Sequence, residues 1–476
     1  MEKTFSKDHM SADFRTVGPV PGAKIASVTA VDRIMWEFMN GRPECCIRAM
    51  MQFDGPLSDD ILIKALKQLI TLTPVLSAQP CFRFWRGYWE FVDPEDTARL
   101  VSRITASTKE EQKRLADGVM ANPADTTKPP YFRVTSVDGP DGSILFLQTH
   151  HTIVDAGGAI RMFELFAECY REIEKNPEWE AKTPLCMNRS YGQMMRQLRW
   201  WRFFLAPLFL SGSFIKIFWR RIVCRTQIAS AIIGDHSDTS EITCPPQPHV
   251  AITSIDPDTM ERIRDWAKDN GAKINDLIMA AQISTFNQWN HDRGHQGCQE
   301  VVSPYTVNLR RWWGEPEGTF ANMSSFNALR LSRPVTPRTA LANLEPQLDR
   351  AKRSKYMSDF AIAMFLSVLP VSVIGRFAFR IKKRVQSQAR KSHLIANIGV
   401  IPELVGHYGK MRASSYVSGG PINGGQSVIL SFASHRGKMT IDMGFDATHM
   451  RPETAQAYLE RLRENLVNFE DDLNQA

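Results

Sequence analysis

The segment His150-His151-Thr152-Ile153-Val154-Asp155 gathers the side chains of this chain best suited to moving a proton. Imidazole titrates near neutral pH. A histidine is therefore the natural general base for a hydroxyl or amine attacking a carbonyl such as that of a thioester. The apolar run Ile144-Leu145-Phe146-Leu147 leads into the pair and reads as a strand. Consecutive strand residues point to opposite faces, so His150 and His151 cannot both face one cavity. If one does chemistry, the other is expected to be buried and hydrogen-bonded. Asp155 follows across a turn, where Gly157-Gly158 is expected to let the backbone bend tightly. No GxSxG elbow is present, so serine-hydrolase chemistry is not expected.

The elements that must carry these residues are legible around them. Tyr131-Phe132-Arg133-Val134 and the run from Ile144 form a hairpin about the turn Asp138-Gly139-Pro140-Asp141-Gly142. Behind Asp155 an amphipathic helix carries Met162, Phe163 and Phe166 on one face. An earlier helix starts at Ser58-Asp59-Asp60 and stacks Leu62, Leu66 and Leu69. A second half begins near Pro245, with a strand at Val250–Ile255, a helix from Asp256 and another after Ile274-Asn275-Asp276. The chain closes with a helix from Pro452 to Phe469, its stripe formed by Ala455, Tyr458, Leu459, Leu462 and Leu466. Strands and helices mix without a βαβ rhythm, which points to an α+β fold.

At 476 residues the chain exceeds one ordinary core. It divides into a loose arm (1–22), an N-terminal half with the histidines (23–190), a basic-aromatic crossover (191–245) and a C-terminal half (246–476). The composition is globular, 43% hydrophobic and 23% charged. The net charge of +7 comes with no nucleic-acid motif, so nucleic acid is not an expected partner. Eight scattered cysteines without CxxC spacing read as free thiols, and no metal site is expected. The polar N-terminus has no apolar core of a signal peptide, and no run is long enough to span a bilayer. A cytoplasmic protein is expected, with the inner face of the membrane as a further location.

The histidine segment resembles the HHxxxDG motif of the chloramphenicol acetyltransferase-like superfamily, which includes plant BAHD acyltransferases, condensation domains of peptide synthetases, and wax ester synthase/diacylglycerol acyltransferases. Ala156 stands where the motif has glycine. A positive φ there would strain an alanine. Further segments carry the resemblance in order. Ser27-Val28-Thr29-Ala30-Val31-Asp32-Arg33 is similar to the LSPLD-type opening of wax ester synthase-like enzymes. Gly271-Ala272-Lys273-Ile274-Asn275-Asp276 is similar to their GATVNDV segment. Val307-Asn308-Leu309-Arg310 resembles a (V)(D/N)LR segment, and Phe320-Ala321-Asn322 sits where a GN follows. Ala396-Asn397-Ile398-Gly399 resembles an SN-type motif, and Gly444-Phe445-Asp446 a late strand-end motif.

The resemblance implies two similarly folded halves, each a mixed sheet with helices, around a central channel. It implies that His151 is the base and His150 its buried neighbour. Asp155 would be a structural acid paired with Arg310 of the other half, with Arg311 as fallback. Asn275 and Asn397 are implied contributors to the channel or the oxyanion site. Without the resemblance, Arg310 reads as a surface charge, Asn275-Asp276 as a helix cap and Asn397 as a turn residue. No permanently bound cofactor is implied. The co-substrate would be acyl-CoA or the phosphopantetheine of an acyl carrier protein, and the acceptor an alcohol or an amine. A non-catalytic relative that binds lipid or carrier is the reading from another class, and Ala156 is its one sequence hint. His150-x4-Asp155 with Pro316-Glu317-Gly318-Thr319 also fits glycerophosphate acyltransferases, but those chains are shorter and hold their motifs closer together.

Two apolar stretches remain. Arg196 to Arg225 carries seven basic residues and no acid, interleaved with Trp200, Trp201 and Trp219 and several phenylalanines. Phe360 to Gly375 is almost wholly apolar, carries Pro370, and is followed by a basic run through Lys391. Tryptophan and phenylalanine among arginines and lysines suit a membrane interface. A peripheral membrane contact and a lipid-like substrate are expected.

Overall fold

We describe a computed structural model of the chain. It describes residues 20–181 apart from 95, the short stretches 184–185, 188–191, 193 and 231–235, and residues 247–469 outside 295–299, 314–319, 333–334, 355, 389–392 and 421–427. The N-terminal arm up to residue 19, the Trp200–Trp219 stretch and Pro316–Thr319 lie outside the described residues.

The expected hairpin is present and longer than the sequence marked. Strand Phe132–Gly139 turns tightly at Gly139–Gly142 into the histidine strand, Gly142–His150. Gly142 has φ +100°, and a Cβ there would strike the carbonyl oxygen of Phe53, so only glycine serves. The histidine strand is central in a five-stranded sheet. Its order is Ser415–Gly419, Cys46–Phe53, Gly142–His150, Phe132–Gly139 and Val101–Thr105. Covered on both faces, that strand is buried almost continuously, which explains its apolar run. The helix Ala156–Lys175 packs on Asp59–Leu72, joining Met162, Phe163 and Phe166 to Leu62, Leu66 and Leu69 in one core.

A second core surrounds a six-stranded mixed sheet. Its order is Ser324–Ser332, Glu300–Asn308, His393–Val400, Val428–His435, Lys438–Asp446 and Pro248–Ile255. The helix Ile274–Asp292 is buried almost all round against it, with Pro452–Val467 beside it. The architecture is therefore α+β, with two large mixed sheets, each with its own core. One element links them: the strand Ser415–Gly419 comes from late in the sequence yet pairs with Cys46–Phe53 of the first sheet. A separate three-stranded sheet, Lys24–Ser27, Gly87–Phe91 and Ala78–Phe82, packs into the first core through Ala78, Trp89 and Phe91.

Two local expectations are corrected. Asn275 and Asp276 do not cap their helix; Lys273 occupies the cap position and makes no side-chain cap bond. Gly157 and Gly158 do not make the bend after the histidines. Neither has a positive φ, and the turn is closed by Asp155, which caps the following helix by accepting from the Gly158 N–H at 2.9 Å.

Candidate active site

The register of the sheet sets the two histidines apart. His150 is the last residue of its strand, opposite Cys46, and is 1% exposed. Its Nε2 lies 3.1 Å from the Arg42 carbonyl, and its Nδ1 lies 2.8 Å from the Thr152 hydroxyl. A carbonyl can only accept, so Nε2 carries the proton. Burial pushes the His150 pKa down to about 4, which keeps the ring neutral and committed to structure. His151 has left the strand. Its N–H still donates to the Cys45 carbonyl at 3.0 Å, but the residue keeps partial solvent exposure. Nδ1 is buried without a conventional hydrogen bond, whereas Nε2 is neither bonded nor buried.

The loop that carries His151 is fixed at four carbonyls in a row. The His150 carbonyl accepts from the Ile153 N–H. The Asn322 amide donates to the carbonyls of His151 at 3.1 Å and Thr152 at 3.2 Å. The Ile153 carbonyl accepts from the Arg189 guanidinium at 2.8 Å. Arg189 is held in turn by a buried ion pair with Asp32 and lies over the Trp89 ring. Four consecutive carbonyls are thus satisfied, which fixes the backbone that carries the imidazole.

Asp155 is 1% exposed and fully engaged. Its carboxylate takes the Arg310 guanidinium at 2.8 and 2.9 Å, the Met323 N–H at 2.7 Å and the Ser324 hydroxyl at 2.7 Å, besides capping the helix. Burial opposes its ionisation, but Arg310 and these donors outweigh burial and hold the carboxyl below the usual range. Arg310 is buried, not a surface charge. It donates onward to the Ala321 carbonyl at 2.5 Å, and its N–H is taken by Asn308. Arg311 instead reaches the Ile398 carbonyl at 3.4 Å.

The missing motif glycine does no harm here. Ala156 is the first residue of its helix and has no positive φ. The close approach falls one residue later. A Cβ on Gly157 would stand 2.8 Å from the Asn308 amide and 3.1 Å from the Arg310 guanidinium, so glycine at 157 lets Arg310 in.

The His151 imidazole pKa is lowered. Burial is the largest cause, opposed by the carbonyls of His151 and Val154, the Asp155 charge and the Asn322 amide. A neutral ring at pH 7 with its open nitrogen toward solvent can accept a proton. Asn275 and Asn397 are brought to each other, the Asn397 amide donating to the Asn275 side-chain oxygen at 2.8 Å. Among the described residues neither bonds to the histidine. Asp276, beside them, pairs with Lys352 at 3.1 Å. Sequence reasoning gave no site role to Asn322, Ser324 or Arg189. Asn322 was within reach through the motif in which it stands; nothing marked Arg189.

No protein-family model and no curated protein matches this sequence. Solved structures do. The first condensation domain of the calcium-dependent antibiotic synthetase, bound to a substrate analogue, matches at 15% identity with TM-score 0.63, covering 93% of this chain and 96% of that one. Polyketide synthase associated protein 5 of Mycobacterium tuberculosis matches at 13% identity with TM-score 0.64, over 94% and 98%. The trichothecene 15-O-acetyltransferase of Fusarium sporotrichioides matches at 11% identity with TM-score 0.64, over 93% and 95%. The chain therefore has the two-lobed fold shared by condensation domains and this acetyltransferase, the chloramphenicol acetyltransferase-like fold that the motifs implied.

Proposed function

We propose that this protein transfers an acyl group from a phosphopantetheine thioester, carried on CoA or a carrier protein, to a hydroxyl of a lipid-like acceptor. His151 is the general base. Its Nε2 takes the hydroxyl proton as the oxygen attacks the thioester carbonyl. The tetrahedral intermediate then expels the thiolate, the C–S bond breaks, and the imidazolium returns the proton to sulfur. The observation that supports this most is the asymmetry of His151. One nitrogen is buried and the other open, on a loop held at four consecutive carbonyls. The O-acetyltransferase among the structural neighbours agrees with a hydroxyl acceptor. The condensation domains favour a second reading in which the acceptor is an amine. Asp155, Arg310 and Asn322 act as positioning residues. His150 is structural.

The test is mass spectrometry of products from acyl-CoAs and carrier-bound acyl thioesters offered with alcohols and amines. Ester formation by the native chain that disappears in His151→Ala, with the fold retained, supports the proposal. Amide products alone would move the assignment to the second reading. Product formation unchanged in His151→Ala would overturn both.

A further inference from the structure

Among the described residues, five of the eleven exposed large hydrophobics fall on two adjoining elements: Phe84, Trp85, Val373, Phe377 and Phe379. The helix Val371–Gln388 buries Val371, Ile374, Gly375 and Ala378 against the helix Ala30–Met39. A Cβ on Gly375 would stand 2.3 Å from the Arg33 guanidinium, so the glycine permits this contact. Inner contacts do not use up the apolar side chains. Val373 and Phe377 repeat at i and i+4 on the outer face, and Phe379 lines the side of the helix that meets the hairpin tip. The second element is the hairpin tip Arg83-Phe84-Trp85-Arg86. Its Trp85 and Phe84 carbonyls accept the N–H groups of Val371 and Ser372 at 3.3 and 3.1 Å, fastening the tip to the start of the helix. Phe84 and Trp85 pack edge to face, 57% and 65% exposed.

The charges around this patch have one sign. Arg83, Arg86, Arg376, Arg380 and Lys383 are exposed, and no acid occurs from Phe360 to Lys391 or within the hairpin tip. Between tip and helix lies a cavity of about 540 Å³ lined by Arg33, Arg83, Arg376, Phe82, Phe84 and Phe379. Its one acid, Glu37, is paired to Arg33. A second copy would set these cations against their own kind across an isologous interface, which repulsion disfavours.

We infer that this surface docks on an anionic lipid bilayer. The tip aromatics and Phe377 enter the headgroup region, and the arginines meet lipid phosphates. The inference goes beyond the proposed chemistry and does not depend on it. The test is co-sedimentation of the full chain with phosphatidylcholine vesicles, with or without about 30 mol% phosphatidylglycerol. Low-salt binding should be at least about tenfold stronger to the anionic vesicles and should weaken with salt. Trp85→Ser with Phe377→Ser should reduce it about tenfold or more. Arg376→Ser with Arg380→Ser should remove the preference for anionic lipid and covers the case in which the first variant misfolds. His151→Ala should bind as the native chain does, so failure of the chemistry and failure of the surface remain distinguishable. The inference is overturned by native protein left in the supernatant with anionic vesicles at low salt. Folded variants that bind like the native chain would overturn it too, as would a dimer that the Trp85/Phe377 variant dissociates.

Discussion

Asp155 and Asp442 are both buried carboxylates at places where the two sheet systems meet, and they ionise in opposite senses. Asp155 faces an arginine from the other half, two backbone N–H groups and a hydroxyl, and is held ionised. Asp442 lies under the linking strand. It accepts from the Ser418 hydroxyl at 2.7 Å, while its second oxygen is buried without a conventional partner. The nearby Arg48 is spent on the carbonyls of Met120 and Gly420. Burial therefore wins and pushes the Asp442 pKa up to about 7. Depth alone does not decide charge; a cation paired to the carboxylate, present at Asp155 and absent at Asp442, does. The charged junction stands beside His151, and the one whose carboxyl is pushed up supports the linking strand.

The largest effect should come from breaking the charged junction. Asp155→Ala leaves Arg310 buried without its partner and should cost about 3–5 kcal/mol in urea unfolding, with activity lost. A destabilisation no larger than a surface substitution would remove the contrast between the junctions. Asn322→Ala comes next. It strips the donor from two loop carbonyls and should cost about 1–3 kcal/mol. Because it loosens His151, kcat should fall more than KM rises; an effect on KM alone would contradict the positioning role.

Asp442→Asn sharpens the comparison through pH. A carboxyl whose folded pKa is raised from 3.8 to about 7 contributes stability fully below pH 4, and loses it as pH climbs to about 7. The asparagine variant should therefore gain Tm relative to the native chain between pH 4 and 7, then hold a constant difference above. A gap that narrows with rising pH would show Asp442 to be ionised. The smallest effect belongs to Arg311→Gln. Arg311 makes one long bond to the Ile398 carbonyl, so stability should change by under about 0.5 kcal/mol and activity hardly at all.

The strands and helices around the histidines were legible because their signals are local. An apolar run into a polar turn gives the histidine strand, and leucines at helical spacing give Asp59–Leu72. The Asp155–Arg310 pair spans 155 residues of sequence, and no local pattern reaches that far; only the ordered motifs pointed to Arg310. Asn275 was legible as a residue but not in its contact, since its partner Asn397 lies 122 residues away. Gly157-Gly158 misled for a physical reason. Adjacent glycines signal a bend, but here the bend is an aspartate cap and the glycine at 157 serves a close approach. Arg189 stands in no motif, and its place against Asp32 and the Ile153 carbonyl came from tertiary packing alone.

The most direct test compares the two histidines in one assay: the pH dependence of kcat/KM for acyl transfer in the native chain, His151→Ala and His150→Ala. Because burial lowers the His151 pKa, the native acid limb should have its midpoint below 6.5. His151→Ala should lose at least about 100-fold and the limb with it. His150→Ala should keep the limb while losing stability. An acid limb that survives in His151→Ala, or a native midpoint above 7, would contradict the assignment of the base.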